Sequence, residues 1–189
     1  MYANGHGLAQ NDATAVEWIR KAAEQGMSDA QLSLGKMYVM GCGVTQNDTI
    51  AVEWLRKAAV QDDAEAQCKL GLMYANGRGV THNDTTAFEW FRKAAVQDYA
   101  EAQRNLGVMY AMGRGVAQNG ATAIEWLSKA AAQENADAQY ALGLMFAKGN
   151  AVAKDENAAR TCFQKAADQG HEEAKKALKM LQPVNSITP

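Results

Sequence analysis

The sequence predicts an all-α solenoid of stacked helix–turn–helix repeats, and three observations carry that expectation. The first is self-similarity. Ala66–Glu101 recurs with substitutions as Ala30–Glu65, Ala102–Asp137 and Ala138–Glu173, a period of 36 residues, and periods of this length mark repeat architectures. The second is spacing: Ala66, Leu70, Met73 and Tyr74 fall on one helical face, and Ala87, Trp90, Phe91, Ala94 and Ala95 form a second helical stripe. The third is punctuation. Gly77 and Gly79 supply the cap and the positive-φ turn that end the first helix, and Asn83 is a favourable N-cap for the second. A lone hairpin of this kind cannot bury its apolar face, whereas stacked hairpins can.

In chain order, a partial unit (1–29) comes first. Met1-Tyr2-Ala3-Asn4-Gly5 repeats Met73-Tyr74-Ala75-Asn76-Gly77, so the sequence begins inside a first helix, and a longer parent array is expected. The second helix of that unit spans about Asp12–Gln25. Full units 30–65, 66–101 and 102–137 pair Ala30–Met40 with Asp48–Gln61, Ala66–Asn76 with Asp84–Gln97, and Ala102–Met112 with about Ala121–Gln133. Gly35, Gly71, Gly107 and Gly143 sit inside first helices. There Gly costs roughly 1 kcal/mol against Ala, so close approach of a neighbouring helix backbone is expected. Gly120 replaces an Asp and weakens its helix start. The unit 138–173 drifts: Ala151 stands in place of the second turn glycine, and Cys162 in place of Trp, with Phe163 beside it. A capping helix, 172–181, presents Lys175, Lys176 and Lys179, as the end of a solenoid requires, and 182–189 is a short tail. Glu89 and Lys93 stand four apart on a solvated face, as do Glu17 and Lys21, Glu53 and Lys57, and Glu125 and Lys129.

The recurring A-x-x-x-L-G-x-M-Y-x-x-G-x-G-V, followed by N-D-x-x-A-x-x-W-x-x-K-A-A-x-Q, resembles the Sel-one-like repeat (SLR), a cousin of the tetratricopeptide repeat. It covers nearly all of the chain, and its period exceeds the tetratricopeptide value of about 34. The resemblance implies an α/α right-handed superhelix used as an adaptor, with the first helix of each pair lining the concave surface.

Little else in the sequence points to chemistry. A formal net charge of −2 offers no bulk attraction for nucleic acid. No apolar run approaches the roughly 18 residues of a membrane span, so membrane insertion is not expected. Cys42, Cys68 and Cys162 occupy three different repeat positions and read as free thiols, which leans cytoplasmic and leaves a periplasmic or secreted location open. His6, His82 and His171 are likewise scattered, so neither a metal nor a cofactor is expected. The G-x-G of each turn follows a helix where a nucleotide fingerprint follows a strand. Trp18, Trp54, Trp90 and Trp126 read as core, each worth about 3–5 kcal/mol on truncation to Ala. Ser/His/Asp and Cys/His sets neither repeat nor converge, so no enzyme activity is expected.

The informative positions change between repeats on the face opposite the buried stripe. Positions three, seven and ten of each first helix point there: Leu32, Lys36 and Val39; Cys68, Leu72 and Ala75; Arg104, Val108 and Ala111; Tyr140, Leu144 and Ala147. Leu72, Val108 and Leu144 form an apolar strip bordered by Lys36, Arg104 and Lys176, with no carboxylate at these positions. Such surface usually signals binding. The expected function is a protein–protein scaffold that takes an acidic and apolar peptide or helix on the concave face. A structural spacer in a longer repeat protein is the alternative, and a small enzyme or lactam-binding module a distant third. The apolar stripe of the N-terminal helix also predicts a homodimer through that end.

Overall fold

The computed structural model describes residues 12–149 and 152–181. Among them every regular element is a helix: α1 (Asp12–Glu24), α2 (Ser28–Met40), α3 (Asp48–Ala59), α4 (Ala64–Asn76), α5 (Asp84–Ala95), α6 (Ala100–Met112), α7 (Gly120–Ala132), α8 (Ala136–Lys148), α9 (Glu156–Asp168) and α10 (Glu172–Leu181). They belong to two compact units, Met1–Gln97 and Asp98–Pro189. In the first, α2 pairs with α3 and α4 with α5; in the second, α6 pairs with α7 and α8 with α9, and α10 closes on α9. The expected remnant of a first helix at Met1–Asn4, the altered turn at Asn150-Ala151 and the tail 182–189 lie outside the described residues.

Caps set the boundaries. The side chains of Asn47, Asn83, Asn119 and Asp155 accept from the backbone N–H of Ile50, Thr86, Thr122 and Ala158 at 2.9–3.1 Å, so α3, α5, α7 and α9 start alike. The α7 helix starts on Gly120 with this cap in place. First helices end on Gly41, Gly77, Gly113 and Gly149, each in the left-handed region. They begin earlier than the sequence predicts, at Ser28, Ala64 and Ala100, because the preceding second helices stop early. The stop is a sharp turn: Asp62, Asp98 and Glu134 take φ of 62°, 61° and 61°, and the Asp63 N–H reaches back to the Ala58 carbonyl at 3.4 Å.

The core corrects the Trp assignment. Trp18 is 65% exposed, and Trp54, Trp90 and Trp126 are only half-buried. The fully buried residue is the next one along: Leu55, Phe91, Leu127 and Phe163. Each faces the mid-helix glycine of its hairpin partner. A Cβ on Gly35 would lie 2.8 Å from Leu55 Cγ, one on Gly71 2.8 Å from Phe91 Cδ1, and one on Gly107 2.7 Å from Leu127 Cγ. On Gly143 it would collide with the Phe163 ring. The glycines therefore make room first for a side chain, with the Ala51 and Ala123 carbonyls next nearest at Gly35 and Gly107. At the edge of the stripe each Trp is covered by a lysine three residues on. Lys57, Lys93 and Lys129 lie 3.9, 4.3 and 4.3 Å from the ring centroids of Trp54, Trp90 and Trp126. Glu89 accordingly pairs with Arg92, at 2.8 Å, in place of Lys93.

A second device ties hairpins together. Gln31, Gln67, Gln103 and Gln139 are buried at the second position of each unit. Gln31 Nε2 donates to the Ala23 carbonyl at the end of α1 (3.0 Å), and its Oε1 accepts from Gln61 Nε2 beyond α3 (2.8 Å). Gln67 does the same with Ala59 and Gln97, at 3.0 and 2.9 Å. In the second unit Gln133 donates to Gln103 (2.9 Å), while Gln139 links the Ala131 carbonyl (3.3 Å) to Gln169 (2.8 Å). Each glutamine of the α2, α4 and α8 type thus joins the second helices before and after it, with both ends of its amide in use.

Two stability outcomes follow from this packing. Phe91→Ala should cost about 3–5 kcal/mol and Trp90→Ala only about 1–2 kcal/mol, as expected for half the burial. Urea unfolding of the two variants checks the order, and an equal cost would restore the Trp to the core. Gln67→Met keeps the volume but removes the bonds to the Ala59 carbonyl and the Gln97 amide; because the Asp62 N–H still reaches that carbonyl and Gln97 is exposed, it should cost about 0.5–1.5 kcal/mol. A variant as stable as the parent would show that the ladder is energetically idle.

Candidate functional site

Both units carry a cleft between consecutive first helices. In the second unit α6 and α8 form the walls, Leu127 of α7 the floor, and His171, just before α10, one end; the cleft encloses about 400 Å³. In the first unit α2 and α4 form the walls of a cleft of about 300 Å³ over Leu55. The clefts follow from the hairpin packing, because Leu127 and Leu55 are the residues received by Gly107 and Gly35.

The second-unit cleft gathers Arg104, Val108, Ala111, Tyr140 and Leu144 of the residues singled out in the sequence. The first-unit cleft gathers Lys36, Val39 and Leu72. Five others lie elsewhere. Cys68 is buried, and Leu32 packs on the cluster of α3 and α4. Ala147 packs on the cluster of α9 and α10. Ala75 is half-buried without lining either cleft, and Lys176 is exposed on α10.

Residues not singled out complete the walls: Met40, Lys69 and Arg78 in the first unit, and Met112, Asp137, Lys148 and His171 in the second. Met40, Met112 and Lys148 stand four residues after Lys36, Val108 and Leu144, so helical spacing alone places them on the same face. Asp137 lies three residues before Tyr140 by the same rule.

The rims carry acid as well as base, contrary to the expectation of an uninterrupted basic border. Lys36 Nζ meets Glu65 at 2.8 Å, with Lys69 at 3.9 Å from the same oxygen. Arg78 makes a two-pronged pair with Asp48, at 2.7 and 3.0 Å. In the second unit Asp137 is shared: one oxygen lies 3.6 Å from Arg104 and the other 3.4 Å from His171 Nε2. The His171 ring stacks on Tyr140 with centroids 4.6 Å apart, and its Nδ1 accepts from the Ala174 N–H at 3.2 Å, capping α10. That histidine is held as a structural part of the cleft wall.

Among the described residues, reactive groups do not converge. Among the described residues no three of His, Cys, Asp and Glu could hold a metal ion. Ser33 and Lys36 have the Ser-x-x-Lys spacing of some acyl-transfer enzymes, but Lys36 is engaged by Glu65. Burial pushes the Cys162 thiol above its usual range, against the opposing pull of Lys165, which disfavours the nucleophilic thiolate. His82 pairs with Asp84 in a turn at 3.2 Å, and His6 lies outside the described residues. No described helix is long and apolar enough to cross a membrane.

Comparison with known proteins agrees with this architecture. The Sel1 repeat model matches residues 1–27, 28–63, 64–99, 100–135 and 136–171. A protective antigen of uropathogenic Escherichia coli with an SLR fold is 36% identical at a TM-score of 0.87, over 98% of this chain and 40% of its own. A Sel1 repeat protein from Oxalobacter formigenes is 34% identical at a TM-score of 0.87, over 94% of this chain and 70% of its own. Cysteine rich protein B of Helicobacter pylori is 26% identical at a TM-score of 0.54, over 71% of this chain and 97% of its own. The chain thus spans less than half the length of the Escherichia coli antigen. None of the curated proteins searched matches it.

Proposed function

Because this chain belongs to the Sel1 repeat family, whose members are generally protein-interaction scaffolds, we propose that it binds a peptide or helix of a partner protein in the clefts between its first helices. The observation that carries this reading is the pair of apolar clefts at equivalent places in the two units. Rigid walls preset by the packing spare a ligand the ordering cost on the protein side. Each cleft is apolar below and charged at the rim, the pattern of a site that buries one or two side chains and orients them by charge.

The rim charge favours an acidic partner. In the first unit Lys36, Lys69 and Arg78 face Glu65 and Asp48, leaving one positive charge in excess. In the second, Arg104 and Lys148 face Asp137, again with one positive charge in excess among these three. A segment with Leu or Phe flanked by Asp or Glu would satisfy both features, and its affinity would fall with salt because the rims are exposed.

Random peptide display on the whole chain tests the proposal. Enriched sequences should be apolar with acidic flanks. Leu72→Asp or Val108→Asp should weaken them by about tenfold or more, the loss expected of a contact worth at least 1.4 kcal/mol. Far-UV circular dichroism monitors the fold of both variants. Failure to enrich any peptide would favour a structural spacer. A pool of basic sequences, or one indifferent to both substitutions, would overturn the clefts as the binding surface.

A further inference from the structure

The second-unit cleft contains a guanidinium that its own protein serves poorly. Arg104 Nε is buried and has no acceptor. Its acidic neighbour, Asp137, stands 3.6 Å from the terminal nitrogen and is divided with His171, at 3.4 Å. Charge-assisted N–H···O bonds close at about 2.7–2.9 Å, so Asp137 grips neither donor. Its side chain is also 59% exposed, and such pairs are worth only about 0–1 kcal/mol. The first unit differs, because there Glu65 closes on Lys36 at 2.8 Å. Beside Arg104, the cleft is walled by Val108 and Leu144, and Lys148 adds a second cation that makes no ion pair among the described residues.

Resting on the scaffold reading, we propose that this cleft recognises a protein segment in which an aromatic or aliphatic side chain precedes a carboxylate, and that this carboxylate displaces Asp137 from Arg104. Asp137 acts as a resident acid. It occupies the charge site loosely while the cleft is empty and yields to a carboxylate that arrives with an apolar anchor. The anchor displaces water from Val108 and Leu144, which supplies attraction that Asp137 lacks. The guanidinium can donate two parallel N–H bonds to a carboxylate, a geometry that Asp137 does not reach. Displacement costs little, since the Asp137 side chain is already largely in water and keeps His171 as a neighbour. A cleft of about 400 Å³ has room for one large side chain and a carboxylate, at the lower end of the range for ligand pockets. A neutral segment would gain the anchor alone, and a basic one would meet Arg104 and Lys148, so charge sets the specificity.

The test uses the full chain and two capped tetrapeptides, acetyl-Gly-Phe-Asp-Gly-amide and its Asn counterpart, titrated by amide NMR. Both should shift signals around Val108 and Leu144, with the Asp peptide tighter by roughly two- to fivefold, the range for an exposed ion pair. Asp137→Asn should tighten the Asp peptide by a similar factor and leave the Asn peptide unchanged. Arg104→Gln should erase the difference between the peptides, and Arg104→Lys, which keeps charge without the fork, should retain part of it. Equal binding of the two peptides would overturn acid recognition while leaving the cleft as a peptide site. Weaker binding of the Asp peptide to Asp137→Asn would overturn displacement. If neither peptide reaches the cleft while displayed peptides still depend on Leu72, this inference falls and the scaffold reading stands. Tighter binding of free 3-phenylpropionate than of either peptide would make the cleft a small-molecule site and overturn the assignment to a protein segment.

Discussion

The contact between a mid-helix glycine and one large side chain governs the rest of the structure. Gly71 has no Cβ, so the Phe91 ring lies where a methyl group would otherwise sit, and the two helices of that hairpin close accordingly. The same exchange of a missing Cβ for a buried Leu or Phe occurs at Gly35, Gly107 and Gly143. An Ala at any of these sites would gain roughly 1 kcal/mol of helix propensity and lose more to overpacking, which costs about 1–3 kcal/mol in a filled core. The received side chain also reaches through the hairpin to the other side, where Leu55 and Leu127 floor the two clefts. Core packing and binding surface are therefore two faces of one contact.

Glycine contacts set the distance within a hairpin; the buried glutamines set the distance between hairpins. A buried amide is costly unless both its donors and its acceptor are engaged. Gln67 meets that demand only while α3 and α5 hold their places on either side, because the Ala59 carbonyl ends α3 and the Gln97 amide lies just beyond α5. Apolar contact alone tolerates sliding of one helix along another, whereas the amide penalises it. Clefts between first helices inherit that fixed spacing.

Much of this was legible in the sequence. The repeat period, the hairpin, the Asn caps and the glycine C-caps all have local causes, and they stand close to where composition and spacing put them. The rest failed for identifiable reasons. Trp90 and Phe91 are adjacent, about 100° apart on a helix, so period alone leaves the centre of the stripe open. Size favoured Trp, yet the buried set Ala87, Phe88, Phe91, Ala94 and Ala95 is centred on Phe91. The glutamine ladder recurs faithfully, but a polar residue in a helical pattern suggests a solvated face, and only the packed neighbours show both ends of its amide in use. Asp137 and His171 come to the cleft from beyond the helix positions counted as its wall. The rim acids were invisible for that reason, and Cys68 was placed on an open face but is buried.

Repetition also separates what the units share from what each does. Gly, Ala, the large residue after Trp, the Gln and the caps return in nearly every copy, because all of them serve the frame. The cleft walls vary within that frame: Lys36 and Leu72 in one unit are answered by Val108 and Leu144 in the other. The acid changes with them. Glu65 is longer by one methylene than Asp137, and it closes its ion pair where Asp137 stays open. The cation differs as well, because Lys36 has Val108 as its counterpart and Asp137 turns instead toward Arg104, so acid and base change together while the helices around them keep their places. The walls can diverge in this way because the frame holds without them: no wall residue at positions three, seven or ten takes part in the glycine contacts or the glutamine ladder. Substitutions there change what a cleft can hold and leave the hairpins as they are.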